Sequence, residues 1–199
     1  VPACTGIDAI AHAVETAVTR KRNETSLKYS RAAFQMMLEN FSRVLESPDD
    51  LPARGQMLLG AAYAGTAIEH SMLGAAHSAA NPLTAHYNVV HGQAVGMMLP
   101  HVVRFNAADE SIADGYAALV KDTAVASSNG TLSAEALAQA MEALLDSAQL
   151  PRDLTAFGVD ANQLDVLSKE AAQQWTASFN PRDITAADFT GLYQKAFAS

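Results

Sequence analysis

"TGIDAIAHAVETAVTRK", residues 5–21, sets Ile7, Ile10, Val14 and Val18 at spacings of three and four. That spacing stacks apolar side chains on one face of a helix, whereas a strand would show alternation. Thr5 with Asp8 three residues later has the form of a capping box, so the helix is expected to begin there. The next stretch, "TSLKYSRAAFQMMLENFSRVLES" at 25–47, repeats the pattern through Leu27, Phe34, Leu38, Phe41 and Leu45, until the prolines of "SPDDLP" break it. Ala, Leu, Met, Glu and Gln dominate the chain, and strand-like alternation of β-branched residues is nearly absent. The expected fold class is all-α, a multi-helix bundle.

Outward from these two helices, the segment from Ala53 to about Met72 is rich in Ala and Gly. Its Gly60, Ala64 and Ala67 would admit a neighbouring backbone, so a buried central helix is expected. A turn carrying Pro82 should follow, then a helix opening near His91, where "HGQAVGMMLPHVVRFN" runs to Pro100. Further helices are expected over Asp109–Ala126, Ser133–Ser147 and about Asn162–Thr176, with a turn at "SSNGT". "FNPRDITAADFTGLYQKAF" closes the chain with a second capping box, Thr185 with Asp188. There is no internal repeat. Residues 1–199 read as a single all-helical domain, with the part after about 107 free to form its own sub-bundle.

The bulk numbers exclude several classes. With 49% hydrophobic and 17% charged residues among 199, the chain fits a soluble folded domain rather than a disordered one. A net charge of -8 and no basic block longer than "RKRN", beside Glu24, argue against nucleic acid. No apolar run approaches the ~20 residues of a membrane span, and "VPACTGIDAI" lacks the form of a signal peptide. Cys4 is the only cysteine, so it has no partner within the chain for a disulfide, which fits a reducing cytoplasm. It reads as a small buried residue, and Trp175 as a core or interface aromatic. A start at Val1 points to a portion of something longer.

Chemistry concentrates in few places. Asp8 and His12 are four apart, on one helical face. "HSAANPLTAHYNVVHG", residues 77–92, holds three of the six histidines. A carboxylate with imidazoles suits Fe(II), Zn(II), Mn(II) or Co(II). Each member also has a plainer reading: Asp8 as a capping residue, His77 as a hydrogen-bonded core histidine, His91 as a first-turn residue. What joins them is the small residues around each, in "AHA", "GAAHSAA" and "HGQA", which would leave room for an ion and a substrate.

The ordered motifs "TGIDAIAHAVE", "LGAAHSAANPLTAHYNVVHGQAVGMMLPHVVRFN" and "NPRDIT" resemble the C-terminal helical domain of the iron-dependent (group III) alcohol dehydrogenases, a dehydroquinate synthase-like fold, across nearly the whole chain. The resemblance implies that Asp8 and His12, in the family's G-x-D-A-x-x-H-A-x-E motif, and His77 and His91, fourteen apart in its H-x13-H-G motif, are the metal ligands. It implies Fe(II), with Zn(II) as the alternative, and an alcohol or aldehyde substrate whose oxygen the cation polarises during hydride transfer with a nicotinamide. NAD or NADP would be bound mainly by an N-terminal dinucleotide-binding domain. This chain has neither a G-G-G-S-like run nor a G-x-G-x-x-G, so alone it is expected to be catalytically incomplete. A homodimer is left open.

Three positions depart from the family pattern. Many members have H-x-x-x-H-P-L-G after the third ligand; here "HSAANPLT" puts Asn81 at the second histidine and Thr84 at the glycine. Asn81 can hydrogen-bond but cannot be a general base, so a proton relay would need His86, Tyr87 or water held by Thr84. His70 stands where the family often has asparagine, which implies a re-equipped pocket. The catalytic candidates are thus Asn81 and His86. Two rival readings are a glycerol-dehydrogenase-like zinc enzyme domain and a non-catalytic helical metal-binding module.

Overall fold

The computed structural model describes residues 2–125 and 133–197, and within them the only regular elements are helices. Nine are α-helices: α1 Pro2–Thr16, α2 Glu24–Glu46, α3 Leu51–His70, α4 Ala75–Tyr87, α5 His91–Asn106, α6 Glu110–Val120, α7 Ala134–Ser147, α8 Leu164–Gln173 and α9 Ala186–Ala196. The all-α expectation holds. The expected "SSNGT" turn lies outside the described residues, as does Ala126.

α1 starts three residues before the expected cap. Pro2 supplies the first position, with φ already helical and no N–H to leave unpaired, so Thr5 falls inside the helix and the capping box at Thr5 and Asp8 does not form. Asp8 is thereby released for other work. The second expected box does form: the Thr185 hydroxyl accepts from the Asp188 N–H, and the Asp188 carboxylate accepts from the Thr185 N–H. α2 carries a box the sequence reading overlooked, with Asn23 as cap and Ser26 in the reciprocal place.

The buried centre is α1 and α5 rather than α3. α5 is buried continuously from Gly92 to Val103, the all-round burial of a helix with neighbours on every side, and α1, α4, α7 and α9 pack against it. α3 lies at the periphery on α1 and α2, and leaves Leu51 and Leu58 more than 70% exposed. Its small stripe has the expected use: a methyl at Gly60 would sit 2.5 Å from Met37 Cγ and 3.3 Å from the Ala33 carbonyl oxygen, so α2 packs closely on α3 there. In α2 the inward stripe is Ser26, Ser30, Phe34, Met37 and Phe41, while Leu27, Leu38 and Leu45 lie half-buried beside it.

Pro82 sits within a helix rather than in a turn, and α5 likewise continues through Pro100 to Asn106. Each proline leaves one carbonyl a turn earlier without its usual N–H, a loss that packing on both faces overrides. The link between α4 and α5 is only residues 88–90, opened by Asn88 in the left-handed region at φ 53°. The expected helix over Asp109–Ala126 stops at Val120, and that over Asn162–Thr176 is α8 flanked by 3-10 turns. Asn180, from "NPRDIT", exchanges hydrogen bonds with Asn106 at 2.8 and 3.1 Å and so ties the C-terminal segment to α5. Among the described residues, one cluster of buried apolar side chains takes in members from Ile7 to Ala196. Among the described residues no helix is long and apolar enough to cross a membrane.

Candidate metal centre

α1, α4 and α5 bring Asp8, His12, His77 and His91 to one place. Ligand atoms of Asp8, His12 and His77 all lie within 4.8 Å of one another. Asp8 Oδ1 is 3.3 Å from His77 Nε2 and 3.7 Å from His91 Nε2, and Asp8 Oδ2 is 3.7 Å from His12 Nε2. Ligands held about 2.1 Å from one ion in a tetrahedral array are about 3.4 Å apart, so these separations suit a shared cation. Asp8 Oδ1 and His77 Nε2 are buried and make no hydrogen bond. Orphaned polar atoms of this kind are costly unless something binds them, and both point into the cluster.

His77 forms the floor, its side chain 4% exposed, while His91 at 40% forms the open rim. The chain reaches this geometry through close helix contact. A methyl at Gly92 would lie 2.0 Å from the Cys4 carbonyl oxygen and 3.1 Å from Asp8 Cβ, so α5 crosses α1 directly at the cluster. The small residue after His91 therefore admits a backbone, and the expectation that it leaves room for ion and substrate is corrected. Ala11, Ala13, Ala75, Ala76, Ala79 and Ala80 are likewise packed into the core.

The electrostatics separate the four groups. Burial disfavours a charged His12 and, with His77 adding to it, lowers its pKa to about 4. His91 is lowered as well, chiefly by burial, so both rings present free lone pairs at neutral pH. Burial works against the Asp8 carboxylate, but His77, His12 and His91 outweigh it and hold the group below its ordinary range. Burial also opposes a charged His77, yet Glu15 and Asp8 on either side raise it to about 9. A proton and a divalent cation are alternatives at His77 Nε2.

Glu15 was not singled out in the sequence. It is 4% exposed; Oε2 accepts from His77 Nδ1 at 2.5 Å and Oε1 from the Ala76 N–H at 2.7 Å. The signal existed, since Asp8, His12 and Glu15 share one face at spacings of four and three.

The other candidates lie elsewhere. Asn81, one turn beyond His77 on the same face of α4, is half-buried and donates from Nδ2 to Gln174 Oε1 at 2.9 Å. Thr84 follows, its hydroxyl oxygen buried and without a hydrogen-bond partner. His86 is not brought to the cluster: nine residues past His77, or about 13 Å along the axis, it pairs with Glu170 at 2.7 Å on the surface. The Tyr87 hydroxyl accepts from the Asp160 N–H. His70 is exposed at the end of α3, its carbonyl taken by Asn23. Trp175 is 63% exposed and meets Phe179 edge-on, so it is no core residue; Cys4 is half-buried.

Among the described residues the fold is all-helical, and three of its helices converge on one carboxylate and three imidazoles, donor types that a divalent ion accepts. The chain belongs to the Fe-containing alcohol dehydrogenase family, whose C-terminal model matches residues 2–197. It is 28% identical over 201 residues to long-chain-alcohol dehydrogenase 1 of Geobacillus thermodenitrificans, covering 100% of this chain and 50% of that protein. Lactaldehyde reductase of Escherichia coli K12 is 30% identical over 199 residues, covering 98% and 50%. Among solved structures, the alcohol dehydrogenase from Oenococcus oeni superposes with a TM-score of 0.88 at 25% identity, over 98% of this chain and 51% of that one. The chain spans about half the length of the curated relatives it matches.

Proposed function

We propose that this chain is the metal- and substrate-binding domain of an NAD(P)-dependent alcohol dehydrogenase, in which Asp8, His12, His77 and His91 hold a divalent cation. The supporting observation is the convergence of these four side chains around two buried atoms, Asp8 Oδ1 and His77 Nε2, that make no hydrogen bond. When bound, the cation supplies Lewis acidity towards an alcohol or carbonyl oxygen, and the nicotinamide supplies hydride exchange with the carbon. Iron is the metal the family's description names; three imidazoles and a carboxylate also accommodate Zn(II), which such ligands intrinsically prefer to Fe(II).

This chain's residues have three tasks. His77 and Asp8 form the buried side of the site, and His12 and His91 close it while leaving the rim open to a small alcohol or aldehyde. Asn81, with its Nδ2 committed to Gln174, offers Oδ1 as an acceptor one turn from His77 and orients the substrate rather than moving a proton. The nicotinamide and the remaining wall of the cleft would come from an N-terminal domain, in keeping with relatives of twice this length.

Metal analysis of the full-length protein tests the site: wild type should retain about one equivalent of metal, and His77→Ala and His91→Ala far less. Unchanged content in both would refute it. Anaerobic loading with Fe(II), Zn(II) or Co(II), followed by assays of alcohols with NAD and NADP, tests the activity. A metal-loaded protein inert towards every alcohol and aldehyde with both nucleotides favours the non-catalytic module.

A further inference from the structure

α4 begins without a capping side chain of its own. Its cap position is Gly74, which makes no side-chain hydrogen bond, although the first N–H groups of a helix need partners when buried. The partners come from elsewhere in the chain: the Ala75 N–H turns to Asn180 Oδ1 at 3.4 Å, and the Ala76 N–H donates to Glu15 Oε1 at 2.7 Å. Gly74 is what makes this fit, because a methyl there would come within 3.2 Å of both Glu15 Oε1 and Asn180 Oδ1.

The second oxygen of Glu15 has a different partner. Oε2 accepts from His77 Nδ1 at 2.5 Å, so the hydrogen sits on Nδ1 and the other ring nitrogen is left for the cluster. One carboxylate thus grips both the backbone one residue before His77 and the far side of its ring. The grip fixes ring rotation as well as the start of α4. An imidazole held in this way aims Nε2 at Asp8 Oδ1, 3.3 Å away, and a carboxylate behind a ligating histidine also raises its basicity.

We propose that Glu15 is a positioning residue for the cation site, presetting the tautomer and aim of His77; the proposal rests on the reading of Asp8, His12, His77 and His91 as ligands. The role differs from that of a buried cap, which would stabilise α4 without changing how tightly the cluster holds an ion. Glu15→Gln separates the two. The glutamine keeps the shape but has a single acceptor oxygen, so it satisfies either the Ala76 N–H or His77 Nδ1–H and turns an NH2 against the other.

The experiment measures Co(II) affinity by chelator competition in the full-length protein, alongside thermal unfolding of the metal-free form. Glu15→Gln should bind Co(II) about 10- to 100-fold more weakly than wild type, with an altered visible spectrum of the bound ion. Gly74→Ala, whose methyl would press on Glu15 Oε1 and Asn180 Oδ1, should lose affinity in the same direction by a smaller factor. This second variant keeps the test decisive if Glu15→Gln does not fold. A lowered unfolding temperature with Co(II) affinity and spectrum unchanged in the folded variants would make Glu15 a cap only and overturn the proposal. His77→Ala is the control: if it too binds Co(II) like wild type, the cation site fails, and the Glu15 proposal with it. If His77→Ala loses the ion and the Glu15 and Gly74 variants do not, only the Glu15 proposal falls.

Discussion

Gly92 does more for the site than its lack of a side chain suggests. The atoms a methyl would strike are the Cys4 carbonyl oxygen at 2.0 Å and carbon at 2.7 Å, which are backbone and cannot rotate away. Gly92→Ala should therefore push α5 off α1, and the first casualty is the 3.7 Å separation between Asp8 Oδ1 and His91 Nε2. We expect a loss of about 1–3 kcal/mol in stability from overpacking, together with weaker metal binding; wild-type denaturant midpoint and metal content would show the contact to be slack. The same contact explains what was readable at this scale. Asp8 and His12 could be paired from helical spacing, whereas His77 and His91 joined them as expected ligands through the resemblance of the ordered motifs. Glu15 has the same spacing, but a carboxylate that accepts from His77 Nδ1 and the Ala76 N–H looks like any other until α4 is seen to start against it. His86 and His70 lie at the surface, away from the cluster; local sequence does not say which side of a helix meets its neighbours.

Among the elements, helix starts sort into those announced locally and those completed from a distance. Thr185 and Asp188 form their box within four residues and were legible as such. At the start of α1 a similar pattern was overridden by Pro2, and at α4 the partners lie 61 and 105 positions away in sequence, beyond the reach of any local motif. Asn23 is intermediate. It caps α2 through Ser26, and its Nδ2 also donates to the His70 carbonyl at 2.6 Å, joining the start of α2 to the end of α3. Asn23→Ala should accordingly cost more than Thr185→Ala, about 2 kcal/mol against about 1. Equal losses in chemical denaturation would mean that the link to α3 contributes nothing. The prolines teach a related lesson: Pro82 and Pro100 read as breaks, yet helices buried on both faces absorb one missing hydrogen bond each.

At the scale of the whole molecule, stability gathers on α5, and His101 reports it. The ring is 7% exposed. Burial lowers its pKa to about 4, with Arg104 and Lys195 adding to the effect and Glu142 opposing it. The Glu142 carboxylate also accepts from Arg104 Nη1 at 2.6 Å. Above pH 6.5 the ring is neutral in folded and unfolded chains alike, and pH has no leverage through it. Between 6.5 and about 4 the unfolded chain takes up a proton that the folded one refuses, so stability falls as pH falls, and the loss is complete near pH 4. The span between the two values is worth about 3 kcal/mol at most. His101→Gln removes this titration but leaves His12 and His91, whose lowered values contribute to both proteins and cancel in the difference. In chelator-treated protein, the stability difference between wild type and His101→Gln should therefore shift in the variant's favour by about 2 kcal/mol from pH 7 to pH 4.5. Parallel stability curves across that range would show that α5 accepts the charge, and that its burial is looser than the packing of α7 and α9 around it implies.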